Sequence, residues 1–477
     1  MGWTKTYRSR LAAFSAENLA KYWQYCHLYG ISNATRLALR RFRSPKGRPP
    51  TYVTALPSPA PDVADRAISR IEKVISVVIP TKNAGSNINQ LFRRLESQQG
   101  VKGVEVIVVD SGSTDGTLAA AERGATKLVR IAPEQFTHSF ARNTGAEYAT
   151  GDYLLFMVQD ALPLTSLWLW EMVTALETNK LSAVSCAEYP RADSDLFYQF
   201  LIHRHSNAAE LDQDRILAWD NSCSSYLGLR SNAQISDVAA LIPRDVFESY
   251  RYKMAYAEDL DLGIRLIRDG HRLGFLHRTR VLHSHNRSSY YFLKRSYVDV
   301  RFLVEVFPNF VFPELEDQTQ LCCDILTSCD RVNQIARHLP DLGFPLPVRD
   351  LMKLLLAMFS AQQAEKASGW ESLNPELSEF MQQLGERLQA MSARSGGQRN
   401  NMISSHVVDH FELLQNWVCG IYDVADQAFG SAIVSALEKI MALHAGTHLA
   451  YLYLTSKSRG NLDEALIAMD KTMTAGV

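Results

Sequence analysis

Four short stretches carry residue types that can do chemistry. Asp110-Ser-Gly-Ser-Thr-Asp-Gly116 offers carboxylates to the N–H of a base or to a ribose hydroxyl, and its small residues let the backbone approach a ligand. A turn with helix caps has the same composition, so the stretch alone does not separate the two readings. Val158-Gln-Asp160-Ala-Leu-Pro163 places a carboxylate where it could hold a divalent cation against a diphosphate. Ala257-Glu-Asp-Leu-Asp-Leu-Gly263 opens an amphipathic stretch. Acidic residues suit the first turn of any helix, but Glu258, Asp259 and Asp261 exceed what capping needs, and one of them could serve as a general base. Val281-Leu-His-Ser-His285 has two histidines at alternate positions. On a strand they face one side, as ligands of a metal or a phosphate would. Two further features are weaker. Arg142 and Asn143 stand at the expected start of a helix, where a guanidinium fork suits a diphosphate. His406 and His410 are spaced i, i+4 but lack the Glu of a metalloprotease motif.

The elements that must position these residues follow from periodicity. Val74–Ile79, Val104–Val109, Lys127–Arg130 and Tyr153–Val158 are short β-branched or apolar runs. Helical stretches lie between them at Ser86–Ser97, Thr117–Arg123 and Phe140–Ala149. This alternation predicts an α/β fold with a mostly parallel sheet flanked by helices, and ligands at the carboxyl ends of the strands. From about residue 313 the strand signals vanish. Helical periodicity runs over Leu315–Leu339, Val348–Lys366, Glu376–Met391 and Val407–Val424, so an all-helical C-terminal domain is expected over 313–477. Ahead of the α/β domain (63–312), six of the 17 prolines crowd into a linker at 44–62, behind a basic helical segment at 1–43.

The chain has 477 residues, 46% hydrophobic and 21% charged, which supports two or three folded domains and excludes bulk disorder or a coiled-coil rod. The formal net charge of -1 argues against nucleic acid as a partner. It is a sum of unlike parts: residues 1–50 hold 10 basic and 1 acidic residue, whereas 311–477 hold 12 basic and 20 acidic. The basic head, with Tyr22 and Trp23, is expected to lie on anionic membrane or to pack on the α/β domain, with packing on the acidic C-terminal domain as the alternative. The seven cysteines are dispersed without a CxxC, which fits free thiols in the cytoplasm. No run approaches the ~18 uninterrupted apolar residues of a membrane span.

Taken in order, the motifs resemble those of the family 2 glycosyltransferases, which have the GT-A fold, over residues 74–306. Val-Val-Ile-Pro-Thr-Lys-Asn83 looks like the opening strand and Val-Val-Asp-Ser-Gly-Ser-Thr-Asp-Gly-Thr117 like the nucleotide-binding loop. Gly151–Pro163 looks like the strand carrying a DxD-type site, and Ala257-Glu-Asp259 with Arg265 and Gly270 like the acceptor-side motif. Phe136-x-His138, Arg142-Asn143 and Gln159-Asp160-Ala161 are most similar to the bacterial rhamnosyltransferase-like branch, which builds O-antigens and other surface polysaccharides. The resemblance implies that Pro80, Thr81, Asn83, Asp110, Ser111 and Asp115 line the nucleoside pocket and that Arg142 approaches the diphosphate. It implies Mg²⁺ or Mn²⁺ held by Asp160 and His283. Asp259, beside Glu258, would take the proton of an acceptor hydroxyl, with inversion at the anomeric carbon. The donor would be a UDP- or dTDP-linked sugar and the acceptor a glycan or lipid-linked hydroxyl, at the inner face of the cytoplasmic membrane; self-association into a homo-oligomer stays open.

The sequence departs from the pattern at three positions. Val158 stands where a full DxD has its first Asp, Ser139 where the branch usually has Gly, and Leu262 where an aromatic often follows the acidic motif. Two other readings remain: a nucleotidyltransferase, against which the Thr81–Ser86 loop is poor in Gly and basic residues, and a non-catalytic sugar-nucleotide-binding protein.

Overall fold

A computed structural model describes residues 69–208, 213–307, 310–360, 373–392 and 402–475. The basic head and the proline-rich linker expected at 1–43 and 44–62 lie outside these residues.

The sheet has nine strands: β1 (Ile71–Thr81), β2 (Val101–Asp110), β3 (Lys127–Arg130), β4 (Tyr153–Met157), β5 (Leu162–Pro163), β6 (Ala183–Tyr189), β7 (Arg215–Leu217), β8 (Ala239–Pro243) and β9 (Leu273–Leu282). Their order is β3-β2-β1-β4-β8-β6-β9-β5, with β7 on β9. The pairs β1–β2, β2–β3, β1–β4 and β6–β9 are parallel, while β8 runs antiparallel between β4 and β6. Val77, Val78 and Ile79 are fully buried because helices cover both faces, which is why β1 reads as a continuous β-branched run. The chain leaves β1 toward β2 and β3 and then returns to β4 on its other side. That reversal opens a crevice at the carboxyl ends of β1 and β4.

Helices α1 (Asn87–Glu96), α2 (Thr117–Gly124), α3 (His138–Glu147), α4 (Trp168–Thr178), α5 (Leu196–Ala208), α6 (Tyr226–Asn232), α7 (Arg244–Tyr250), α8 (Glu258–Arg268) and α9 (Ser289–Val306) surround the sheet. Gly145 of α3 is tight against β1: a Cβ there would stand 2.4 Å from Val78 Cγ1. Gly263 does the same for α8, where a Cβ would meet the Ala233 carbonyl oxygen at 2.0 Å. These two contacts seat the helices that carry Arg142 and Asp259.

The C-terminal part contains α10 (Gln318–His338), a short β10–β11 pair (Leu346–Pro347 and Val424–Ala425), α11 (Val348–Ser360), α12 (Pro375–Ser392), α13 (Met402–Val418), α14 (Gln427–Ser458) and α15 (Glu464–Thr474). The division expected at residue 313 is not a break in packing. One hydrophobic core runs from Leu196 and Phe197 of α5 through Leu293 and Tyr297 of α9 to Met473 of α15. Gly446 of α14 makes this possible, since a Cβ there would meet the Leu293 carbonyl oxygen at 2.0 Å. The 32-residue α14 has the length and mean hydropathy (1.2) to cross a membrane, yet 61% of its apolar window is buried in the bundle, as befits a central core helix.

Candidate active site

Thr81 and Asp110 end β1 and β2 in register, and the loops that follow them are laced together. Asp110 is buried. One carboxylate oxygen accepts from the backbone N–H groups of Gly112 (3.0 Å) and Ser113 (2.9 Å). The other accepts from the hydroxyls of Thr81 (3.2 Å) and Ser113 (2.5 Å). The Ser111 hydroxyl donates to the Thr81 carbonyl at 3.1 Å. Asn83, in the left-handed region at φ 50°, accepts from Thr114 N–H at 2.8 Å. Asp115 accepts from the N–H groups of Thr117 (2.9 Å) and Gly85 (3.0 Å). The bonds from Thr117 hold the Asp115 carboxyl below the usual range. Thr81, Asp110 and Ser111 thus form a braced, buried floor, while Asn83 and Asp115 are exposed at the rim with Pro80 half-buried between. The Gln159 side chain, just beyond β4, clamps the backbone of Lys82 from both sides, at 2.9 and 3.2 Å.

A second centre forms where β4, β6 and β9 end. Asp160 lies 3.6 Å from His283 Nε2 and 3.5 Å from His285 Nδ1, and the two imidazoles approach each other at 3.0 Å. The three side chains bring their donor atoms within 4.8 Å of one another. Behind them, His283 Nδ1 meets Glu188 at 2.7 Å, and Tyr198 donates to the same carboxylate at 3.1 Å. Burial is the largest single influence and lowers the His283 basicity, but the bond to Glu188 together with the charges of Glu188, Asp160 and Asp237 raises it overall. His285 moves the other way, to about 4, through burial and the neighbouring His283. A carboxylate and two imidazoles, with one ring oriented by a carboxylate behind it, fit a divalent cation, with Glu188 as the outer partner. The sequence suggested that both histidines lie on a strand. In the structure β9 ends at Leu282, so both histidines lie just past the strand, and their rings still meet on one side, with centroids 4.5 Å apart.

The third centre is at the start of α8. Ala257, its N-cap, sits in the left-handed region at φ 52°, a conformation costing a non-glycine residue about 1–2 kcal/mol. That bend turns Glu258 inward to a fully buried Arg142 and leaves Asp259 half-buried. Arg142 is not free to meet a diphosphate: one arm bonds Glu258 and the other bonds Asp237 at 2.6 Å. α3 packs on β1 and β2, and from there the guanidinium of Arg142 reaches the first turn of α8. Burial opposes the guanidinium charge, but Asp237 and Glu258 more than restore it. One guanidinium faces three carboxylates, and the acids respond. Asp259 is pushed up to about 6, by burial first and by Asp237 second. Burial also drives Glu258 upward against the pull of Arg142. Asn143 fixes the next loop by pinning Tyr252 through two backbone bonds of 2.8 and 3.2 Å.

Asp237 and His283 are near enough that the charge of each acts on the other, which makes the second and third centres neighbours. Three of their members were not singled out from the sequence. Glu188 lies near a strand end, a position that inspection of every strand terminus would have reached. Asp237 lies in an irregular segment before β8, and Arg191, whose guanidinium donates to the Asp160 carbonyl at 2.5 Å, lies in another; neither carries a local signal.

Residues 76–234 match the family model described as Glycosyl transferase family 2. The chain carries a family 2 glycosyltransferase domain. Among curated relatives, the O-antigen chain rhamnosyltransferase WbaN of Salmonella anatum is 26% identical over 216 residues, 44% of this chain and 66% of the relative. The O-antigen chain rhamnosyltransferase RfbN of Salmonella typhimurium is 26% identical over 218 residues, 44% of this chain and 67% of that protein. The chain thus spans about two thirds of the length of these relatives. Among solved structures, the mannosyltransferase PcManGT of Pyrobaculum calidifontis, in complex with GDP-Man and Mn²⁺, is 16% identical, with a TM-score of 0.38 over 88% of this chain and 92% of that one. The sheet is mixed and mostly parallel, with its crevice beside β1.

Proposed function

We propose that the chain is an inverting glycosyltransferase that moves a hexose or deoxyhexose from a UDP- or dTDP-linked donor to a hydroxyl of a glycan or lipid-linked acceptor in surface polysaccharide synthesis. The observation that carries this reading is the division of labour between two neighbouring centres. Asp160, His283 and His285 bring together donor atoms able to hold a cation, while Asp259 is an acid tuned close to neutrality. Thr81, Asn83, Asp110, Ser111 and Asp115, with Pro80, receive the nucleoside on the braced loops beside them. Mn²⁺ or Mg²⁺ held by Asp160, His283 and His285 would neutralise charge on the diphosphate, and two imidazoles favour Mn²⁺ of the pair.

Asp259 accepts the proton of the acceptor hydroxyl as that oxygen attacks the anomeric carbon. The bond from that carbon to the diphosphate oxygen breaks, and the leaving nucleoside diphosphate keeps its electron pair. A carboxylate suffices as base because the hydroxyl loses its proton as the new bond forms. Arg142 and Glu258 act beneath Asp259: their ion pair holds the first turn of α8 in place and sets the field at the base. A lipid-linked acceptor places the reaction in the cytoplasm at the inner membrane face, where the basic residues of 1–50 would add peripheral contact. The names of the two Salmonella relatives support a deoxyhexose donor and an O-antigen type of acceptor.

The test is release of nucleoside diphosphate from a panel of UDP- and dTDP-sugars, with and without Mn²⁺. Asp259→Asn lowers turnover by about 10²–10⁴-fold. Unchanged turnover in that variant would remove Asp259 from the role of base. Release of pyrophosphate instead of nucleoside diphosphate would point to nucleotidyl transfer.

A further inference from the structure

Away from the cleft, α13 and α14 bring four histidines together. His406 and His410 stand one turn apart on α13, and His444 and His448 one turn apart on α14. Ring centroids lie 5.0 Å apart for His406 and His448, 5.8 Å for His406 and His444, and 5.2 Å for His410 and His444. His448 Nδ1 is 2.7 Å from the carbonyl oxygen of His444, so that nitrogen carries the proton and donates. The lone pair of His448 is therefore on Nε2, and it faces His406 Nδ1 at 3.1 Å. Two imidazole nitrogens bound to one tetrahedral zinc, each at about 2.0–2.1 Å, stand roughly 3.3 Å apart. The observed separation is close to the spacing that a shared ion imposes.

We propose that His406, His444 and His448 form a second metal site, selective for Zn²⁺ over Mg²⁺ or Mn²⁺, that clasps α13 to α14. All three place a ring nitrogen within 4.8 Å of the others. The set has no carboxylate, and neutral imidazoles suit zinc and its borderline neighbours, in contrast to the oxygen-containing set of the cleft. The hydrogen bond from His448 to the backbone is the kind of outer contact that fixes a metal-binding ring in one tautomer. His406 and His444 are only half-buried, which leaves an ion a way in and room for a water as fourth ligand.

His410 has a different part. Arg204 of α5 donates to its Nε2 at 2.6 Å, which leaves Nδ1 as the donor toward His444 Nε2 at 3.1 Å. His410 therefore competes with an ion for the lone pair of His444, and that hydrogen bond gives way when metal binds. The i, i+4 pair of α13 visible in the sequence is thus split: His406 is a ligand and His410 is not.

The experiment uses full-length protein carrying Asp160→Asn and His285→Ala, which disables the cleft centre. The protein is stripped with chelator and then loaded with Zn²⁺ or Co²⁺. The expected result is one equivalent of zinc retained after desalting, a rise in melting temperature, and the intense visible absorption of four-coordinate cobalt. In the same background His406→Ala and His448→Ala lose the equivalent and the colour, while His410→Ala keeps both. His406→Gln, at a half-buried position and checked by circular dichroism, separates loss of a ligand from loss of fold. Absence of zinc binding, or its full retention in the His406 and His448 variants, overturns the proposal.

Discussion

Asp237→Asn isolates the electrostatics of the proposed base. The Asp259 carboxyl stands at about 6 instead of 3.8, with burial as the largest cause and Asp237 as the next. That displacement of about two pH units is worth about 3 kcal/mol. Asp237 is the second cause, and a unit charge acting over several ångströms through an effective dielectric of about 40 supplies on the order of 1 kcal/mol. The sign follows from the charge. A neighbouring anion makes Asp259 harder to ionise, so removing that anion lets it ionise at lower pH. At pH 5 a base with a midpoint near 6 is only about one-tenth ionised, and the parent should run at about a tenth of its plateau rate. In Asp237→Asn the acid limb moves down by about one pH unit, and the same measurement gives about half of plateau. The substitution is isosteric, and its oxygen still accepts from Arg142, now without the charge assistance of the 2.6 Å contact. It therefore costs about 1.5–3 kcal/mol of stability, which a typical domain tolerates. The assay is nucleoside diphosphate release from pH 4.5 to 8 at saturating donor and Mn²⁺, with circular dichroism at each pH. An acid limb that stays in place, or moves up, would refute both the assignment of Asp259 and the role given to Asp237.

His285→Ala removes one donor of the cleft centre and leaves Asp160 and His283, so the Mn²⁺ concentration for half-maximal rate should rise about 10–100-fold while the rate at saturating metal falls less; an unchanged metal requirement excludes His285 as a ligand. Glu188→Gln takes away the carboxylate that orients His283 at 2.7 Å, and the metal requirement should rise in the same direction but by less than for His285→Ala. Gly446→Ala drives a methyl group to 2.0 Å from the Leu293 carbonyl, forcing α9 and α14 apart. We expect a loss of about 1–3 kcal/mol in thermal or denaturant unfolding, and a melting curve identical to the parent would contradict the packing described.

The first four strands and the helices between them were legible because they are local. A β-branched run buried on both faces, such as Val77–Ile79, announces itself without its partners, and so does the Asp110–Gly116 loop that follows its neighbour. The helical character of the C-terminal part was legible for the same reason. Its union with α5 and α9 was not, because one core assembled from Leu196 to Met473 depends on contacts between residues far apart in the chain.

The candidate site divides along the same line. Residue types alone marked Asp160, His283, Glu258 and Asp259 as able to do chemistry. Which of them face the cleft, and in what state of ionisation, was decided by the fold. Arg142 looks like a diphosphate ligand in the sequence, yet in the fold Glu258 and Asp237 take both its arms. Asp259 is ordinary in sequence and becomes a base poised near neutrality only through burial beside Asp237, 22 residues away. His285 becomes a partner of Asp160 because the segment just past β9 comes within 3.5 Å of the loop after β4. The sequence by itself determined the elements and the chemical repertoire, since these follow from local periodicity and from the side chains present. The tertiary structure decided partnership, because desolvation and charge–charge energies depend on separations of a few ångströms that no local pattern encodes.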